Sequence, residues 1–157
     1  MADRTGTGKP LGYLLSPNEV SLTFTFDTAT ATNAGRVVQV TAHRTVSQVD
    51  AAADFDADAD LACLGIAMET VVLGDECLIC LRGLIVAEAG ADLTIGQWAM
   101  PDSVGRVVTG STGLTGTGVT VLAAAAGSPA EGYIGVGICI LKDAAAVAGD
   151  GVGILVK

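Results

Sequence analysis

The stretch "VSLTFTF", Val20 to Phe26, sets large apolar side chains at Val20, Leu22, Phe24 and Phe26 between Ser21, Thr23 and Thr25. Successive strand residues point to opposite faces, so a two-residue apolar period predicts a strand with one face in a core and the other in water. Further β-rich runs follow at short intervals: "RVVQVT" from Arg36, "LGIAMETVVL" from Leu64, "ECLICLR" from Glu76, "LIVAEA" from Leu84, "RVVTG" from Arg106, "GVTVLA" from Gly118, "YIGVGICIL" from Tyr133 and "GVGILVK" from Gly151. Between them "LGDE" at 73–76, "AGAD" at 89–92 and "PDSVG" at 101–105 supply the Gly, Asp and Pro that turns require. About nine short strands with no sustained 3.6-residue period predict an all-β fold, an antiparallel β-barrel or sandwich. The Ala-rich pieces "DAAAD", "LAAAAG" and "KDAAAVAG" are interrupted too soon to hold a helix, and "TGSTGLTGTG" at 109–118 reads as a hairpin loop.

Residues 1–19 have no period. Gly6, Gly8 and Gly12 make them pliable, and Pro10 and Pro17 keep them extended. This predicts an extended N-terminal arm, with residues 20–157 as a single β-barrel-like domain. The arm carries the apolar cluster Pro10, Leu11, Tyr13, Leu14 and Leu15, the candidate contact residues. The expectation is that residues 1–18 leave the barrel and dock this cluster on a neighbour, the alternative being a segment folded back on its own domain. Eighteen extended residues span up to ~60 Å, against a radius of gyration of ~15 Å for a domain of this length.

Half of the 157 residues are apolar and only 16% are charged, against ~25% in an average soluble chain. Little charge is available to wet a monomer's whole surface, which points to burial against partners. No apolar run reaches the ~20 residues of a membrane span, and "MADRTGTGKP" lacks the apolar core of a secretion signal, so the expectation is a protein made in the cytoplasm and not bound to membrane. The net charge of -9, with eight scattered Lys and Arg, argues against nucleic acid as a partner.

The motifs that would carry chemistry are incomplete. In "DFDADAD", Asp54, Asp56, Asp58 and Asp60 have the alternate spacing that opens a calcium loop, but the sixth and twelfth positions hold Ala59 and Gly65 instead of the required Gly and Glu. The favoured reading is a solvated acidic loop, with no metal. Cys77 and Cys80 form a CxxC, yet "ECLICLR" reads as a strand that sends them to opposite faces, so with Cys63 and Cys139 they are expected as buried reduced thiols. His43, the lone histidine, has no nucleophile turn to serve. "GTGKP" at 6–10 lacks the first glycine of a phosphate loop, since Asp3 occupies its place. Gly113, Gly116 and Gly118 do not join a strand to a helix, and nothing in the strand positions of Glu69, Glu76 and Glu88 brings them together. The reading is not an enzyme, with no catalytic residue and no cofactor.

From Gly35 to Lys157 the order of parts is distinctive: "AGRVVQVTA", an acidic excursion, a Gly-Asp strand unit at 74–83, an "Ala-Gly-Ala" turn at 89–96, "GRVV" at 105–108, "IGVG" at 134–137 and "AGDGVGILV" at 148–156. This pattern resembles the capsid decoration, or cement, proteins of tailed bacteriophages. The resemblance implies a compact β-barrel-like domain, assembled as a homotrimer on the outer capsid surface and bridging neighbouring subunits of the major capsid protein. The excursion at 50–60 is more acidic than the usual pattern, and "PLGYLL" is not a part that the family fixes. Two other functions fit an all-β chain of this kind: a trimeric β-barrel enzyme with an intersubunit site, and an adhesive, host-binding domain on the particle.

The acidic loop gives a direct test. A calcium site specific to the folded state, at about a hundred times its dissociation constant, would add ~2.7 kcal/mol of stability. We expect calcium to leave the melting temperature unchanged. A rise of several degrees, reversed by chelator and abolished in an Asp56→Ala, Asp58→Ala variant, would establish a metal site instead.

Overall fold

A computed structural model of the chain describes residues 9–16, 19–26, 32–49, 63–102, 104–109, 137–142 and 146–156. Among these it holds nine strands and no helix: β1 (Val20–Phe26), β2 (Val37–Ala42), β3 (Thr45–Gln48), β4 (Cys63–Ala67), β5 (Glu76–Glu88), β6 (Trp98–Pro101), β7 (Val107–Thr109), β8 (Gly137–Leu141) and β9 (Gly151–Val156). The fold is all-β, as the two-residue periodicity predicts. "DFDADAD", "DAAAD", "LAAAAG", "GVTVLA" and all but the first residue of "TGSTGLTGTG" lie outside the described residues.

The strands run in the order β1-β3-β2-β4-β5-β9-β8-β6-β7, and β1 also pairs with β5. That extra pairing closes β1, β3, β2, β4 and β5 into a five-stranded barrel. Its pairs are antiparallel except β1 with β3, which are parallel through Thr25–Thr45 and Phe26–Val46. The remaining strands extend from the second half of β5 as an antiparallel sheet, and a parallel bridge from Ala89 to Val107 brings β7 back beside the end of β5.

Two cores result. Phe26, Val38, Val46, Ala67, Val71, Cys77 and Ile79 fill the barrel. Val37, Ile66, Cys80, Ile85, Ala87, Leu93, Cys139, Val152 and Ile154 belong to the second core, which lies between the barrel wall and the extending sheet. Adjacent residues of one strand serve different cores: Val37 and Val38, Ile66 and Ala67, Cys80 and Ile79. The wall formed by β2, β4 and β5 is therefore buried on both faces, which explains why these strands read as apolar runs and not as alternations.

β5 was expected as two strands broken at Gly83. It is one strand of 13 residues, and the break is a change of face. The pairing with β1 passes from Cys80 to Arg82 and skips Leu81, a β-bulge, and Gly83 follows at φ 132°. Before the bulge the even residue Cys80 faces the second core; after it the odd residues Ile85 and Ala87 do. Only glycine adopts this φ without strain, and a Cβ at Gly83 would lie 3.0 Å from that of Glu19.

Other expectations meet smaller corrections. "LGIAMETVVL" holds a strand only through Ala67, and β3 and β6, four residues each, were not foreseen. The turns at 73–76 and 101–105 form as expected, with Gly74 and Gly105 at positive φ. β1 is less buried than its period implies: Val20 is 48% exposed and Leu22 53%, because β3 flanks β1 only at Thr25 and Phe26.

The N-terminal segment does not leave the domain at residues 11–16. The Gly12 N–H donates to Val86 O at 2.8 Å, the Val86 N–H to Tyr13 O at 3.0 Å and the Leu15 N–H to Leu84 O at 2.7 Å, while Ser16 Oγ accepts from the Leu84 N–H at 3.1 Å. Leu14 bridges antiparallel to Ile85 and packs against the second core. The expected departure from the barrel is thus corrected at residues 11–16, which fold back because β5 past its bulge offers backbone groups that need partners.

The consequence is measurable. Deleting residues 1–16 removes Leu14 and this ladder and should cost about 2–5 kcal/mol. Gly83→Ala should cost about 1–3 kcal/mol through backbone strain. Thermal unfolding followed by circular dichroism checks both; a 1–16 deletion as stable as the full chain would refute the docking of residues 11–16.

Candidate interaction surface

With the odd residues of β5 turned to the second core beyond Gly83, the even residues take the opposite face, where Val86 and Glu88 are buried and Leu84 is partly exposed. Leu84 pairs with Leu155 of β9, Leu155 with Ile138 of β8, and Ile138 with Trp98 of β6. Cross-strand partners share a face, so the four side chains form one apolar row across four strands. Each is half-buried and none belongs to either core. Leu15, whose N–H bonds to Leu84 O, is also half-buried and adds a fifth position. The signal in the sequence was the missing alternation in "GICIL" and "GILV": apolar residues at successive positions put apolar side chains on both faces.

The contact residues foreseen in the arm divide between two faces. Leu14 points to the core; Tyr13, its neighbour in an extended segment, faces out at 44% exposure beside exposed Pro10. The Lys9 ammonium lies 4.9 Å from the centre of the Tyr13 ring, a cation–π distance. Leu11 is half-buried, and its Cβ lies beside Gly35.

At the junction of barrel and sheet sits a polar network that sequence reasoning missed. Arg36 donates from Nε to Glu88 Oε2 at 2.9 Å and from Nη2 to Glu88 Oε1 at 3.3 Å. Gln48 Oε1 accepts from Thr32 Oγ1 at 2.9 Å and from Arg36 Nη1 at 3.4 Å. The backbone joins here too, with the Glu88 N–H donating to Gly35 O and the Val37 N–H to Gly105 O. Both carboxylate oxygens of Glu88 are thus engaged by Arg36, in a forked geometry that holds two substructures in register.

The other carboxylates stay apart. Glu69 Oε1 accepts the Leu78 N–H, and Glu76 is exposed at the start of β5. In the β6–β7 turn Asp102 pairs with Arg106 at 2.8 Å. Asp92 meets Lys142 at 2.6 Å, and this hydrogen bond holds its carboxyl below the usual range. His43 lies exposed in the β2–β3 turn, beside Arg44 at φ 56°. Cys77 and Cys80 are buried on opposite faces of β5, as the strand reading requires, and Cys139 is buried in the second core.

The described residues thus form an all-β domain with an apolar row across one sheet face and an apolar N-terminal segment docked along β5. A sequence profile described as phage cement protein matches residues 15–137. The chain belongs to the phage cement protein family. The match begins at Leu15, upstream of the resemblance read from Gly35 onward. No curated protein matches the sequence. Among solved structures, the head fiber gp8.5 N base of bacteriophage phi29 is similar in fold, at 14% identity and a TM-score of 0.53, over 88% of this chain and 95% of that one.

The thiols supply a pH test. Burial pushes Cys77 and Cys80 from 9.0 up to about 11, and it raises Cys139 in the same direction. Between the unfolded and folded values the native state holds more protons than the unfolded state, so stability falls as pH rises through this window. We expect the melting temperature to decline from about pH 9 to 11. A Cys77→Ala, Cys80→Ala variant should show a shallower decline; identical slopes would refute the assignment.

Proposed function

We propose that this chain decorates the outer surface of a phage capsid, where, as a homotrimer made in the host cytoplasm, it bridges neighbouring subunits of the major capsid protein. The observation that carries this reading is the family match over residues 15–137. The chemistry is consistent with it. A capsid-stabilising protein works by contact area and not by turnover, and the forked Arg36–Glu88 pair and two packed cores keep its contact surfaces rigid. The net charge of -9 repels nucleic acid and anionic lipid surfaces, leaving protein as the partner.

In this reading the N-terminal segment contributes to capsid attachment. Its cluster Pro10, Leu11, Tyr13, Leu14 and Leu15 has an anchoring side, Leu14 in the second core, and an outward side led by Pro10 and Tyr13. A segment pinned to β5 has already lost its backbone freedom, so its outward groups bind at less entropic cost than those of a loose arm.

Cosedimentation with heads that lack this protein tests the reading. Wild-type protein should pellet with the heads and raise their resistance to heat or chelator. Tyr13→Ala with Pro10→Ala should weaken binding about tenfold, equivalent to about 1.4 kcal/mol, with an unchanged melting temperature. Wild-type protein that leaves heads unbound would overturn the proposed function, and full binding by the double variant would move the contact away from the segment.

A further inference from the structure

We propose that the apolar row Leu84, Leu155, Ile138 and Trp98 is the face through which copies of this chain associate with one another. The inference deepens the proposed function, since it rests on the homotrimer and assigns it a surface.

The row is continuous. Its members are consecutive cross-strand partners on β5, β9, β8 and β6, so with strands ~4.8 Å apart it spans about 14 Å, and Leu15 extends it by one strand. Of the exposed apolar residues elsewhere, Val72 and Leu73 sit on the β4–β5 turn, Ile95 on the turn before β6 and Val147 on the turn before β9, while Val20 and Leu22 lie on β1 opposite Arg82 and the buried Ile79. A row on a sheet face is also broad and flat enough to stack against another sheet face, the geometry by which β-sheets bury apolar surface.

Charge selects the occupant. Each copy carries a net charge of -9, so two copies repel unless they meet where charge is absent. The row contains no ionisable side chain. Among the carboxylates of the described residues, Glu76 lies at the far end of β5, Asp92 on the turn beyond β5, Asp102 on the β6–β7 turn and Glu88 inside the junction, while Glu19 stands beside Gly83 at one end of the row. An uncharged face on an acidic chain is where a second acidic copy approaches at least electrostatic cost. A major capsid subunit of opposite charge would have no such need and would gain by meeting the carboxylates.

The test uses full-length protein and two readouts. By light scattering, wild-type protein should have a mass three times its 15.6 kDa. Ile138→Thr with Leu155→Thr, which keeps strand-forming side chains, should be a monomer whose Cys139 stays protected from thiol reagents, as the native fold requires. The second readout needs no variant. Trp98 is the only tryptophan, so diluting wild-type protein until its mass falls should shift its fluorescence to the red. A folded double variant that keeps the wild-type mass, dissociation with no change in emission, or a wild-type monomer at all concentrations would each overturn the assignment. Head cosedimentation is scored separately, so wild-type protein that trimerises without binding heads would spare this face and overturn only the capsid reading.

Discussion

The rest of the structure depends on β5 being buried on both faces and changing face midway. Its first half closes the barrel between β1 and β4; its second half carries β9 on one edge and the N-terminal segment on the other. A strand with two buried faces would ordinarily serve one sandwich. The bulge at Leu81 and Gly83 at φ 132° let this one line a barrel and then a second core, with Cys77 and Ile79 in the first and Ile85 and Ala87 in the second. One inserted residue inverts the parity of all that follow.

That inversion generates the surfaces. Because odd residues turn inward after Gly83, Leu84 turns outward, and the register of β9, β8 and β6 carries the apolar face across the sheet to Trp98. The same parity sets the N-terminal segment, where Leu14 meets Ile85 in the core and Leu15 falls beside Leu84 outside it. An anchoring face and an outward apolar face thus arise from one backbone irregularity.

The polar junction gives the arrangement its rigidity. Arg36, Glu88, Gln48 and Thr32 tie the start of β2, the end of β3 and the end of β5 together. Leaving either charge without its partner there would cost about 3–5 kcal/mol, so the barrel and the sheet are held in one relative position. For the proposed role on a capsid, surfaces that do not drift lower the entropic cost of binding.

The sequence by itself determined the fold class, the main turns and the environment of Cys77 and Cys80, because strand period and turn chemistry are local: they follow from side-chain alternation and from φ at single residues such as Gly74 and Gly105. It also carried the family, through the order of its strands and glycines. Pairing was not legible. Nothing local says that β1 pairs with β5 as well as β3, that Arg36 meets Glu88 across 52 residues, or that Leu14 of an aperiodic segment bridges to Ile85. Nor could four-residue strands such as "TVSQ" and "WAMP" announce themselves, since their extended form is set by neighbours already in place. The apolar row is the clearest case. Leu84, Trp98, Ile138 and Leu155 are scattered in the chain, and only the register of four strands, fixed by long-range hydrogen bonds, sets them side by side.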